Sequence, residues 1–262
     1  MGLRTADLTT DYRARFHTFN AAGAGWWLRS VRTGDRDERW LSRFAPGEPP
    51  LVLREPGTLD LASPAKAVRM IPSSLRLFGV TTKYSCGLVD RPAARVTVAG
   101  RDFDLPAATA CSGLVEGRGY GRGWAWAHAH AGDAWIEILG RFPGGRPASA
   151  YARAGRREWR LNTLLAIAKN RSVRAPSLDG WRLVATAHNR ELVVDVRARR
   201  EALAAVVYTG PAGETMRCWN TEVASMRAEL RTRTTLGFPW SVRTFECDGS
   251  AHFEVASPTQ VD

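Results

Sequence analysis

The chain has 262 residues, 44% hydrophobic and 24% charged, which suits a globular protein and excludes a disordered one. That length holds one large all-β domain or two small domains. The net charge of +11 arises from 37 bases against 26 acids, spread evenly with no basic tail, so a nucleic-acid partner is weakly supported.

All but three of the bases (Lys66, Lys83 and Lys169) are arginine. No apolar run approaches the roughly 20 residues that span a bilayer. The first ten residues, Met1 to Thr10, are polar and lack the apolar core of a secretory signal. Ala6 breaks the myristoylation pattern. A soluble, cytoplasmic protein is the expectation. Cys86, Cys111, Cys218 and Cys247 form no C-x-x-C pair, which excludes a zinc ribbon or a dithiol redox motif and leaves buried thiols.

Ten tryptophans and 24 glycines suit an all-β chain with many tight turns. Trp26 to Val31 reads as a first strand and Leu51 to Leu53 as a second. Arg95 to Val98 leads through Ala99-Gly100 into Asp102 to Leu105, a hairpin. From Ser63 to Gly79, Ser63-Pro64 suits a helix start and Pro72 interrupts it, so a short helix or a structured loop is expected. Residues 142–157, rich in Gly, Pro and Arg, read as a linker. Leu161 to Lys169 fits a helix or a strand equally. Trp181 to Thr186 and Glu191 to Val196 flank His188-Asn189-Arg190 as a hairpin. Ala204 to Tyr208, Met216 to Val223 and Met226 to Arg233 read as strands. Phe245-Glu246 and Phe253-Glu254 flank Asp248-Gly249 as a further hairpin. The fold class is therefore all-β, a sandwich or barrel, divided at the linker into two β units, 1–145 and 146–262.

The chemistry concentrates in Trp124-Ala125-Trp126-Ala127-His128-Ala129-His130-Ala131. A strand sends alternate side chains to opposite faces, so one face carries Trp, Trp, His and His and the other carries alanine alone. The alanine face suits close approach by another element, and the large face suits a barrel interior or a cleft. Gly132-Asp133 fits a two-residue type II′ turn. That turn pairs Ala131 with Ala134 and sets His130 opposite Trp135, His128 opposite Glu137 and Trp126 opposite Leu139. An opposed His–Glu pair can exchange protons with a shared ligand, and aromatic faces stabilise positive charge. Glu137, His128 and Glu116 are the candidate catalytic residues. Trp124, Trp126, His130 and Trp135 are candidate substrate contacts, joined by Tyr208, Trp219, Asn220 and His252 from the second half. The same residues also suit plain core packing, and His128-x-His130 with Glu137 could hold a metal; the reading taken is no metal and no cofactor. The glycines of residues 116–123 lack the lysine and helix of a phosphate loop. There is no nucleophile elbow and no H-E-x-x-H.

Three segments carry a family resemblance: Gly25-Trp26-Trp27-Leu28-Arg29, Arg122-Gly123-Trp124-Ala125-Trp126-Ala127-His128 and Cys218-Trp219-Asn220. Together they resemble the tocopherol cyclase-like and carotenoid 1,2-hydratase-like proteins, the W-x-W strand being the most specific part. Tyr120-Gly121 stands nearest to where that family has a tryptophan-glycine pair. The resemblance implies two lipocalin-like β-barrel units in tandem, with a large hydrophobic pocket between them and no required cofactor. It implies cyclisation or hydration of isoprenoid or polyene substrates, and related lipocalin-like proteins catalyse pericyclic cyclisations of polyketides. The expected function is a cofactor-independent cyclase, isomerase or hydratase with an apolar small-molecule substrate. The alternatives are a non-enzymatic carrier or sensor of such a molecule and, more remotely, a nucleic-acid binder that stacks bases on tryptophan.

Overall fold

In the computed structural model, residues 68–72, 122–209, 215–233 and 239–258 are described, without the side chains of 204, 206, 208 and 209. Between residues 13 and 116 the remaining strands are described as backbone. β1 (Arg13–Asn20), β2 (Trp26–Thr33), β3 (Arg36–Arg43), β4 (Leu51–Glu55), β5 (Val68–Arg69) and β6 (Lys83–Val89) belong to one antiparallel sheet. β7 (Arg95–Val98) and β8 (Arg101–Asp104) pair as the expected hairpin, apart from that sheet. β9 (Thr109–Glu116) inserts between β1 and β6, giving the order β4-β3-β2-β1-β9-β6-β5. The tryptophan strand β2 is thus second in the chain, behind a β1 that the sequence reading did not identify; nor did it identify β3, β6 or β9. The Ser63–Gly79 expectation lies partly outside the described residues; within them, 68–69 is strand β5, not helix.

The second sheet has ten strands. β10 (Trp124–Ala131), β11 (Ala134–Arg141), β12 (Ala148–Ala154) and β13 (Arg157–Leu161) form a meander. A short helix, α1 (Leu164–Lys169), follows, with Thr163 Oγ1 accepting from the Ala166 N–H at 3.3 Å. This resolves the ambiguous apolar stretch as mainly helix. Then come β14 (Arg171–Ser177), β15 (Gly180–Ala187), β16 (Arg190–Arg197), β17 (Ala204–Thr209), β18 (Thr215–Thr232) and β19 (Ser241–Ser257). Their order is β13-β12-β11-β10-β19-β18-β16-β15-β14, with β17 also paired to β18. Among the described residues no helix is long and apolar enough to cross a membrane.

Three local expectations fail, each for a stated reason. Residues 142–157 are not a linker but hold β12 and its turn into β13; the position between 145 and 146 falls in the turn between β11 and β12. The glycines there serve that turn. Gly145 has φ +70°, and a Cβ on it would meet Ser172 Oγ and the Trp181 indole. Asp248-Gly249 is not a hairpin. It lies inside the single strand β19, whose pairing with β18 slips between Ala224 and Met226, so the two turn-forming residues are spent on a bulge. For the same reason the two strands expected at 216–223 and 226–233 are one, β18. The hairpin at His188 holds, with a two-residue turn and Arg190 already paired to Ala187.

One face of this sheet encloses the core. The sheet curls so that β13, at one edge, approaches β15 and β16 near the other, where the Arg190 guanidinium donates to the Glu158 carbonyl. Trp181, Leu183, Leu192, Val194, Val196, Phe253 and Val255 are fully buried on that face. Strand alternation places them, and each such side chain contributes roughly 1.5–3 kcal/mol by leaving water.

Candidate functional site

β10 supplies the alanines Ala125, Ala127 and Ala129 to this core, against Ile136 and Ile138 of β11 and Phe253 of β19. The sequence expectation is thereby corrected. The alanine face, not the tryptophan-histidine face, lines the enclosed side, because the core already holds Trp159, Trp181 and Phe253 and leaves room for little more than a methyl group beside them. The tryptophan-histidine face is nevertheless buried: Trp126, His128 and Trp135 are each no more than 3% exposed, and Glu137 is 0% exposed. The segment at residues 68–72 lies over part of it. Ser149, on the row of Trp126, donates to the Met70 carbonyl at 2.6 Å, and Asn162 donates to the Arg69 carbonyl at 2.7 Å.

The β10–β11 register is the one the turn dictates: Ala131 pairs with Ala134, His130 with Trp135, His128 with Glu137 and Trp126 with Leu139. Gly132 has φ +59° and a Cβ there would meet nothing. At the other end Gly123, φ +128°, lets β10 start beside the carbonyls of Ala256 and Phe142, where a Cβ would stand 2.6 Å and 2.8 Å away. This explains one glycine of the 116–123 run without any phosphate.

β19 brings in what the hairpin alone lacks. It pairs His252 with His128 and Glu254 with Trp126. β18 adds Glu222 and sets Asn220 opposite Glu254. Across four strands the face therefore presents Glu137, His128, His252 and Glu222 together. Beside them lies the row of Leu139, Trp126, Glu254 and Asn220.

The contacts within the cluster are short. Trp126 Nε1 donates to Glu137 Oε1 at 3.0 Å, and Trp124 Nε1 donates to Glu254 Oε1 at 2.5 Å. His252 Nδ1 lies 2.7 Å from Glu222 Oε1, both residues 0% exposed. Its Nε2 lies 3.5 Å from Glu254 Oε2. The His128 and His252 rings stack at 4.8 Å with 13° between planes, and Trp126 tilts against both. Burial alone would push His252 down, but the charge and hydrogen bond of Glu222, joined by Glu254, outweigh it and hold the imidazole up at about 9. The two glutamates thus favour the protonated imidazole of His252 despite its burial. Further along the Glu137 row, burial, then the charge and hydrogen bond of Glu158, push the Tyr151 hydroxyl up to about 12.

The metal alternative changes its ligands. Nitrogens or oxygens of His128, Glu222 and His252 lie within 4.8 Å of one another, whereas His130 stands two residues away and half-exposed. Stacked imidazoles direct their in-plane lone pairs along nearly parallel planes, not to one point. A tetrahedral ion would require one ring to turn.

The other sequence candidates fare differently. Asn220 joins the cluster face, fully buried. Trp219 does not: adjacent strand residues face opposite ways, and Trp219 packs on the alanine side, with the Arg217 guanidinium 5.8 Å from its ring. Tyr208 pairs with Met216 and Glu116 ends β9 opposite Lys83; both side chains lie outside the described residues. Glu222 and Glu254 were not singled out from the sequence. The alternation of His252 and Glu254 with Phe253 and Val255 was their available signal, since it repeats that of β10. Compared with known proteins, the chain matches no protein-family model and no curated protein.

Proposed function

We propose that the protein is a cofactor-independent cyclase, isomerase or hydratase that acts by proton transfer on an apolar polyene, isoprenoid or polyketide intermediate. One observation carries this reading: Glu137, Glu222 and His252, all fully buried, share one sheet face with stacked His128 and with Trp124 and Trp126. Burying ionisable groups costs several kcal/mol each unless they are paired, and hydrophobic residues would serve a merely structural face as well. Such concentrations mark functional sites more often than ordinary core. The resemblance of the W-x-W strand to cyclase-like and hydratase-like proteins points the same way.

In the proposed reaction the protonated carboxyl of Glu137 gives its proton to an alkene carbon. The π pair forms the new C–H bond and the neighbouring carbon becomes cationic. The indoles of Trp124 and Trp126, their N–H groups held by carboxyl oxygens of Glu254 and Glu137, face positive charge with electron-rich rings. Capture by an internal double bond or hydroxyl closes a ring, and a proton leaves to a base such as His128. Capture by water gives an oxonium ion, which passes one of the water's protons to that base and leaves the hydrated product. For a pericyclic substrate, the face would act by orientation alone.

The test is a metabolite comparison with native and heat-denatured protein, using an apolar extract of cells lacking the gene. A new species of unchanged mass supports a cyclase or isomerase. A gain of one water, about 18 mass units, supports a hydratase. A compound retained without any new species marks a carrier and overturns the proposal.

A further inference from the structure

We propose that Trp135 is a hydrogen-bonding subsite for a neutral oxygen atom of the ligand, so that the substrate is an oxygen-bearing apolar molecule and not a pure hydrocarbon. The inference rests on the reading above, because it places the oxygen beside the same proton-transfer row. Two tryptophans of this face, Trp124 and Trp126, give their indole N–H groups to Glu254 and Glu137. Trp135 shares the face, is 3% exposed, and its indole nitrogen meets no hydrogen-bond acceptor among the described residues. A buried donor left without an acceptor loses its water and gains nothing. Phenylalanine would fill such a place without that cost, so the N–H is open to an acceptor beyond the described residues; the Trp159 indole, also without an acceptor, lies in the closed core of the other face, so the position of Trp135 has to decide.

Position supports a ligand over plain core. Trp135 lies two residues along β11 from Glu137, about 7 Å on a strand. Exposure rises at this end of the face: His128 and Glu137 are buried, while His130 and Arg153, the cross-strand neighbours of Trp135, are half-exposed. Trp135 therefore stands between the buried carboxyl groups and the less buried end of the face, and Tyr151 meets its ring edge-on at 6.4 Å. A neutral N–H suits a carbonyl, ether or hydroxyl oxygen. Trp135 and Glu137, two residues apart on one strand face, are within reach of a single isoprenoid-sized skeleton.

The test uses the full chain with ¹⁵N-labelled tryptophan, the Trp135 indole signal being assigned by its loss in Trp135→Phe. The probes are geranylacetone, a terpenoid ketone, and β-farnesene, a hydrocarbon of similar length. The ketone should shift the Trp135 indole proton downfield and the hydrocarbon should not. Trp135→Phe should weaken the ketone about fivefold, the weight of one net hydrogen bond, and leave the hydrocarbon unchanged. If Trp135→Phe does not fold, 3-benzothienylalanine at 135 keeps the shape and removes only the N–H. Equal shifts with both probes, no ketone binding at millimolar concentration, or an N–H that keeps its contact to water when the ketone is bound would each overturn the subsite. A ketone that binds at Trp135 while no substrate is ever converted keeps the subsite and removes the proton-transfer reading. Turnover of a pure hydrocarbon with Trp135 uninvolved does the reverse.

Discussion

The two faces of β10 are built from adjacent residues, yet they obey different rules. Ala125, Ala127 and Ala129 meet Phe253, Ile136 and Ile138 in a closely packed apolar core. Trp126, His128 and their partners Glu137, His252 and Glu222 are as deeply buried but are tied by directed contacts between ionisable groups. The first arrangement gains from volume and contact. The second gains only if every charge finds its partner. Burial alone thus does not distinguish the two faces; the chemistry of what is buried does.

The sharpest way to break the contrast is Glu137→Gln. The amide still accepts from the Trp126 N–H, so near-ultraviolet circular dichroism should be unchanged while turnover falls about 10²–10⁴-fold. Retained turnover would remove Glu137 from the reaction. On the opposite face, Phe253→Ala should cost about 3–5 kcal/mol of stability in denaturant unfolding. A change near zero would mean that the alanine side is not the core.

His252 gives the contrast a pH dependence. Its pKa is raised in the folded protein above the ordinary 6.5, to about 9. The stability from its pairing is therefore complete below about pH 6.5 and disappears as pH rises through about 9. Unfolding midpoints should fall across that window, and His252→Gln should flatten the fall. A profile that rises there would contradict the raised pKa. Ala127→Leu, an overfilling of the core, should cost about 1–3 kcal/mol by the same unfolding measurement. The smallest effect is expected far from both faces, at Arg231. Its partly exposed guanidinium pairs with Glu229 and Glu191, and Arg231→Ala should cost about 0.2–1 kcal/mol, less in high salt.

Much of the β10–β11 hairpin was legible in the chain. The turn Gly132-Asp133 and strict alternation fix every pair from Ala131–Ala134 to Trp126–Leu139, because both are local properties of a few residues. The same local rules misled at Asp248-Gly249. A turn signal says that the chain can bend, and only the neighbouring strand decides between a hairpin and a bulge. Trp219 failed as a site residue for a simpler reason: its neighbour Asn220 faces the cluster, and a strand cannot send both the same way.

By itself, then, the sequence determined the all-β class, the hairpin at the centre of the candidate site and the pairing of His128 with Glu137. Tertiary structure alone decided which face is enclosed and which residues complete the other. His252 and Glu254 reach β10 from more than 120 residues away, through a strand pairing that no short-range pattern specifies. Alternation assigns side chains to two faces, but it carries no label for inside. That label comes from how the sheet curls, and the curl is fixed by contacts between strands far apart in the chain.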